Sequence, residues 1–288
     1  MSTLNIAIAD RFPQIAEAIC DAVARDHQVE TRYAHTPEAL KGLLPSGKID
    51  ILLLNADLAV QGGINLVSAI RRMEHGFEGN PFVMIAVIVH DRHKVHVPAV
   101  LEAGVDCGLL IPAAVETMTS SLLGVIEARR KWVFMPPYIG PDRRPPRDGV
   151  EDPSLVVVPN TALPKVQGDR AGLAKAQAAV STFSSRVEDV AVRAVEAQLS
   201  RLISQINDLS VPDMVMMLPS IRTQLAHDLG VLGSIPRFSG HPKKGPLLKS
   251  LQESVLHAIP TKGADPATLQ RLQAATNELA KTLERLPG

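Results

Sequence analysis

Four consecutive apolar residues, Ile51-Leu-Leu-Leu54, restrict this chain more than any other segment. A strand that faces water on one side alternates apolar and polar residues. A run without alternation has to be covered on both faces, as in the middle of a parallel sheet. The surrounding sequence has the matching texture. Asn5-Ile-Ala-Ile-Ala9 is short and apolar, and residues 15–24 repeat apolar side chains at helical spacing. Residues 29–34 form a second strand candidate. The next helix opens on Thr36-Pro37-Glu38, which supplies an N-cap hydroxyl and a proline in the first turn. Residues 64–73 read as helix, 82–89 as a long β-rich run, 98–103 as helix, 109–111 as a fifth strand and 115–130 as a fifth helix. Strands alternating with helices predict an α/β domain over residues 1–133: a doubly wound, five-stranded parallel sheet built from right-handed βαβ units.

Composition excludes several classes of function. Thirty basic residues cancel thirty acidic ones, so no global field draws the chain to nucleic acid or to an anionic membrane. No apolar run approaches the eighteen or so residues of a membrane span. The N-terminus reaches Asp10 before a signal-peptide core can form. Cys20 and Cys107 lie in apolar segments without metal-type spacing, and read as buried thiols with no disulfide. A cytoplasmic protein is expected.

The texture changes after residue 133. Pro136-Pro137, Pro141, Pro145-Pro146, Pro153, Pro159 and Pro164 favour extended chain, so residues 134–170 read as a proline-rich linker. Within it, Tyr138-Ile-Gly-Pro-Asp-Arg-Arg144 combines an aromatic, a turn and paired guanidinium groups. It is either a turn with solvated charges or a docking strap, in which Tyr138, Asp142, Arg143 and Arg144 meet a neighbouring domain or subunit. Residues 171–288 are expected to form a helical bundle. Their first helix, 173–208, carries apolar residues from Val180 to Ile206 at three- and four-residue spacing. Prolines then divide the rest into helices at about 220–232, 246–258 and 266–286. Phe183 and Phe238 are the only aromatics in this part, which argues against a stacking surface for single-stranded nucleic acid.

Three stretches resemble the response-regulator receiver family. Leu4-Asn-Ile-Ala-Ile-Ala-Asp-Arg-Phe-Pro13 resembles the first strand, which in the family ends in two acidic residues with a proline soon after. Ile51-Leu-Leu-Leu-Asn-Ala-Asp-Leu-Ala-Val-Gln-Gly-Gly63 resembles the third strand and its loop, and Leu101-Glu-Ala-Gly-Val-Asp-Cys-Gly-Leu-Leu-Ile-Pro112 the Ala-Gly-Ala segment and the strand ending in Lys-Pro. Receiver chemistry needs a carboxylate nucleophile, an acidic pair for Mg²⁺, a hydroxyl after the fourth strand and a lysine. Counted back from Gly63, the nucleophile position is Asn55, whose amide forms no acyl phosphate. Of the acidic pair Asp10 remains, with Arg11 in the second place; the hydroxyl position is Val89 and the lysine position Ile111. The resemblance therefore implies a pseudo-receiver with no cofactor, since one carboxylate beside an arginine is a poor Mg²⁺ site. Asp57, two residues past the expected nucleophile, reads as a solvated loop acid or a partner of Arg11.

In the second half, Leu225-Ala-His-Asp-Leu-Gly-Val-Leu-Gly-Ser234 resembles the helix of histidine phosphotransfer domains, with His227 in the phosphoryl-accepting place. The motif's lysine is Gly230 here and its glycine is Val231. His227 is then either the transfer residue or an ordinary helix histidine. The group His90, His93 and His96 has no second ligand cluster and reads as surface, as does His241-Pro-Lys-Lys244. No metal site is expected, and no glycine-rich phosphate loop or nucleophile elbow occurs.

The function these readings imply is a non-enzymatic signalling adaptor in a phosphorelay. It would bind a histidine kinase, a phosphotransfer protein or a response regulator, docking through residues 98–130, and would not bind nucleic acid or membrane. Phosphotransfer through His227 is the alternative. A purely structural homodimer through the helical half is another.

Overall fold

The strands form where the apolar runs lie. The computed structural model describes the chain except residues 1, 62–63, 75–76, 78, 92, 95, 136–137, 145–154, 235–245, 248, 251, 254–256, 258–265 and 286–288. In chain order, β1 (Leu4–Ala9), α1 (Gln14–Val23), β2 (Val29–Ala34), α2 (Pro37–Leu43), β3 (Ile51–Asn55), α3 (Leu66–Arg72), β4 (Met84–Val89), α4 (Val97–Glu102), β5 (Cys107–Leu110) and α5 (Val115–Glu127) make one α/β layer system. All strand pairs in the five-stranded sheet are parallel, and the strand order is β2-β1-β3-β4-β5. This is the doubly wound order whose switch point lies between β1 and β3.

The period-two alternation of the strands divides the core into two apolar faces. Ala7, Leu52, Leu54, Ile85 and Val87 pack with Leu40 of α2, Val67 and Ile70 of α3 and Val100 of α4. Ile6, Ile8, Ile51, Leu53, Ala86 and Ile88 pack with Ile19 of α1 and Met118, Leu122 and Ile126 of α5. Each fully buried Leu or Ile contributes about 1.5–3 kcal/mol relative to exposure. That is why runs without polar residues specify these central strands. The N-cap read from the sequence is present: Thr36 Oγ1 accepts from Ala39 N at 3.2 Å. Asn65 caps α3 in the same way, accepting from Val67 N and Ser68 N.

The proline-rich stretch is not a free linker. The hairpin of β6 (Trp132–Met135) and β7 (Tyr138–Pro141) is antiparallel, and Trp132 also pairs with Val156 through two backbone hydrogen bonds of 2.7 and 2.9 Å. Helix α6 (Ala162–Gln167) follows. The compact first unit accordingly runs from Met1 to Val187, rather than ending at 133 with a linker to 170. Prolines disfavour helix interiors but tolerate a helix's first turn, as Pro164 does in α6, and extended pairing at strand ends, which is where Pro141 sits.

This added segment is anchored at the amino edge of the sheet. Lys165 Nζ of α6 binds Asp50 Oδ2 at 2.6 Å, just before β3, and the same oxygen accepts from Asn5 N. Asp106, just before β5, is 1% exposed in its side chain and receives Arg71 Nη2 at 2.7 Å, Arg129 Nε at 3.0 Å and Ile85 N at 2.9 Å. Arg71 is fully buried, its other donors spent on the carbonyls of Gly104, Pro81 and Val83. Both guanidinium groups lie over the ring of Trp132, at 4.7 and 5.1 Å from its centroid. Gly104, at φ +109°, allows the hairpin its approach, because a Cβ there would meet Ile139 O at 2.7 Å.

Helix α7 (Arg170–Asn207) runs on from α6 and enters the second unit, Glu188–Gly288. There Val192, Val195, Leu199, Leu202, Ile203 and Ile206 of α7 share one core with Leu218, Ile221, Leu225, Leu229 and Leu232 of α8 (Val211–Ser234) and Leu272 and Leu279 of α9 (Pro266–Arg285). Most of the stripe expected to dimerise is therefore covered within the chain. Helix α8 begins nine residues before the expected 220 and carries Pro219 inside it. The proline removes one helical hydrogen bond, and the apolar face on either side outweighs that loss. The expected helix 246–258 lies partly outside the described residues, as do Gly63, Phe238 and the 241–244 patch entirely.

Candidate functional site

Parallel strands deliver their last residues to one edge of the sheet, and the candidate site lies there. Asp10 follows β1, Asn55 ends β3, Val89 ends β4, and Ile111 follows β5, donating its N to Val89 O at 2.9 Å. The amide that stands at the end of β3 meets the acid that follows β1. Asn55 Nδ2 donates to Asp10 Oδ1 at 3.0 Å, and Asn55 Oδ1 accepts from Asp57 N at 2.7 Å. A carboxylate only accepts and a backbone N–H only donates, so these two bonds fix the amide's orientation. Asp10 Oδ1 also accepts from Phe12 N at 2.9 Å, and Asp10 O meets His35 Nδ1 at 2.8 Å.

Asp10, Arg11, Asn55 and Asp57 come together with Phe12 and Leu58 around a pocket of about 140 Å³. Val89 and Ile111 do not join it. Val89 is buried in the core, and Ile111 lines a separate cleft with His90, Asp91, His93, Leu110 and Pro112. Asp57 pairs with neither solvent alone nor Arg11. Its carboxylate binds Lys94 Nζ at 2.5 Å and lies 3.2 Å from His96 Nε2. The hydrogen bond from the Lys94 ammonium holds the Asp57 carboxyl below its ordinary range. The sequence reading missed this pair: Lys94 sits inside the histidine group that was read as surface.

A divalent cation, which the receiver fold implies, does not fit these residues. Asn55 turns its NH₂ toward Asp10, its oxygen is taken by Asp57 N, and Asp57 itself is held by Lys94 and His96. One acidic oxygen, Asp10 Oδ2, is left where Mg²⁺ demands a near-octahedral oxygen shell. Among the described residues no group of three or more His, Cys, Asp and Glu is placed to hold a metal. Burial pushes the thiol of Cys20 up to about 12 and that of Cys107 to about 11, so neither is a nucleophile at neutral pH.

The strap residues face the first unit's own amino edge, away from this pocket. Arg143 Nη2 donates to Val105 O at 2.8 Å, Tyr138 Oη donates to Pro141 O at 2.7 Å, and Arg144 Nε binds Asp142 at 2.8 Å. The arginines thus meet a carbonyl and a neighbour within the strap. The buried carboxylate at this edge, Asp106, is bound by Arg71 and Arg129. Trp132 and the β-rich residues after it were the sequence signal for this anchor. In the second unit His227 is exposed on α8, whereas Asp228 is buried, accepts from Gln224 Nε2 at 2.8 Å and has its pKa raised by desolvation.

Strand order, parallel pairing and two-sided helical cover define a receiver fold in the first unit. No family model and no curated protein matches the chain. Among solved structures, a response regulator from Thermotoga maritima is 19% identical, covering 44% of this chain and 99% of that one with a TM-score of 0.36. The receiver domain of the putative response regulator NarL from Mycobacterium tuberculosis is 18% identical over 45% of this chain and all of its own, with a TM-score of 0.36. RcsB from Salmonella enterica serovar Typhimurium, bound to promoter rprA with the phosphomimetic BeF3-, is 21% identical over 42% of this chain and 67% of its own, with a TM-score of 0.35. These matches lie in the N-terminal part of the chain.

Proposed function

We propose that the first unit is a receiver-type module of two-component signalling that is read by partner proteins without accepting a phosphoryl group itself. The observation that carries this reading is the Asn55 amide, locked between Asp10 and Asp57 N at the end of β3. An amide nitrogen lacks the nucleophilic lone pair that a carboxylate uses to form an acyl phosphate. Val89 and Ile111 supply neither the hydroxyl nor the cation that would stabilise one. Binding is then the remaining activity, and the surface from α4 to α5 offers Leu110, 45% exposed, as an apolar contact.

A second reading rests on His227. Its exposure on α8 leaves the ring reachable by a partner's phosphoaspartate. One experiment tests both. The full chain is incubated with acetyl phosphate and Mg²⁺, and separately with phosphorylated receivers from the same cell, and its intact mass is followed. The expected result is no added phosphoryl group in either arm. A base-labile adduct lost in Asp57→Asn overturns the binding-only reading. An acid-labile adduct lost in His227→Gln replaces it with phosphotransfer.

A further inference from the structure

Five consecutive apolar residues, Met214-Val-Met-Met-Leu218, stand inside α8. At about 3.6 residues per turn such a run reaches every side of the helix, so a bundle on one side leaves part of it uncovered. Leu218 lies in the core shared with α7 and α9. Met216 is 83% exposed and Met217 39% exposed, and Met216 is the most exposed large apolar side chain among the described residues. With half-buried Leu209 they line an open pocket of about 390 Å³. Methionine side chains are unbranched and polarizable, so such a surface adapts to apolar groups of different shapes.

A second, separate observation concerns charge. The charged residues that line this pocket, Asp208 and Asp213, are both acidic. Asp213 has a duty in the fold. Its carboxylate accepts from Ser210 Oγ, which in turn accepts from Asp213 N at 3.4 Å and so caps the start of α8. Asp208 has no such duty. It follows the last residue of α7, at the negative end of the helix dipole, and among the described residues no base pairs with it. The charge selects what can cover the methionines. A second copy docked on the same face across a two-fold axis brings Asp208 and Asp213 against their own counterparts. An anionic lipid surface is repelled in the same way. A cationic segment is attracted.

We infer that the Met216–Met217 pocket receives a basic, amphipathic segment of a protein partner. An apolar side chain of that segment seats against Met216, Met217 and Leu209, and its lysine or arginine groups pair with Asp208 and Asp213. The apolar contact supplies most of the affinity, because ion pairs at exposed carboxylates are worth little and chiefly set which partner docks. The site belongs to the second unit and does not depend on whether Asp57 or His227 ever accepts a phosphoryl group.

The test labels the methyl groups of the eight methionines of the full chain with ¹³C and follows them by NMR. Met216→Leu and Met217→Leu assign the two signals of interest. The probe is an acetylated leucine–lysine peptide of about five helical turns whose leucines share one face. A leucine–glutamate peptide of the same pattern and a scrambled leucine–lysine peptide without an apolar face are titrated in parallel. The expected result is a saturable shift at Met216 and Met217, weaker with either control peptide by about tenfold or more. Binding falls by about tenfold in Met216→Gln and by about threefold in Asp208→Asn. Both positions are exposed, so the thermal unfolding of the chain stays unchanged in these variants. No saturable shift in the wild type overturns the inference, as does equal binding of the leucine–glutamate peptide. Binding unchanged in both variants overturns it as well. Methyl shifts that follow protein concentration without peptide assign the face to a second copy. Co-sedimentation with phosphatidylglycerol vesicles that Met216→Gln abolishes assigns it to a membrane. Either result replaces the basic partner.

Discussion

Replacing Asp106 with alanine removes the one carboxylate that compensates two buried arginines. Arg71 is fully buried, and desolvation lowers its pKa to about 10, which still leaves it cationic at neutral pH. The carboxylate of Asp106 accepts from Arg71 at 2.7 Å, from Arg129 at 3.0 and 3.3 Å, and from Ile85 N at 2.9 Å. Arg71 keeps its three carbonyl acceptors and Arg129 keeps Pro159 O, so the variant strands charge rather than every donor. Breaking a buried ion pair by removing one partner costs about 3–5 kcal/mol. For a unit of this size about 2–4 °C of Tm accompanies each kcal/mol, giving a loss of roughly 6–20 °C. Trp132 is the chain's single tryptophan and packs on both guanidinium groups, so its fluorescence during urea unfolding reports this unit. The expected outcome is a lower midpoint with an unchanged slope. A loss under about 1 kcal/mol would refute the reasoning, because it would mean that both guanidinium groups regain water and that the hairpin does not seal the amino edge.

Three further outcomes follow from particular contacts. Gly104→Ala places a Cβ 2.7 Å from Ile139 O at φ +109°, and should destabilise the first unit by about 1–3 kcal/mol in the same urea assay. Asn55→Asp replaces the amide donor with a second carboxylate beside Asp10, and should cost about 1–3 kcal/mol at pH 7. That deficit should shrink as pH falls through the carboxylate range, because protonating one acid relieves the repulsion. Asp57 has a folded-state pKa below its ordinary value because of Lys94, so its contribution is complete above the unfolded pKa and is lost as pH falls through the folded one. The pair is about half exposed, so Lys94→Ala should cost no more than about 1 kcal/mol while returning the Asp57 carboxyl toward its ordinary pKa in an NMR titration.

The sequence by itself determined the strands and helices of the α/β layer. Uninterrupted apolar runs admit only strands covered on both faces, and Ile51 to Leu54 and Met84 to Val89 became the centre of the sheet for that reason. Thr36 and Pro37 marked a helix start by local chemistry alone. These features depend on spacing along the chain, which sequence displays directly. Pairings between distant residues were decided only by the tertiary structure: Asp57 with Lys94, Asp50 with Lys165, and Asp106 with Arg71 and Arg129. A charged residue in sequence reads as solvated, and only the fold determines whether it is buried and which charge it meets. The proline-rich stretch was misjudged on the same ground. Proline content reports what backbone is forbidden, whereas the packing of Trp132 against Arg71 and Arg129, and of the hairpin backbone at Gly104, needed the sheet edge to be already in place.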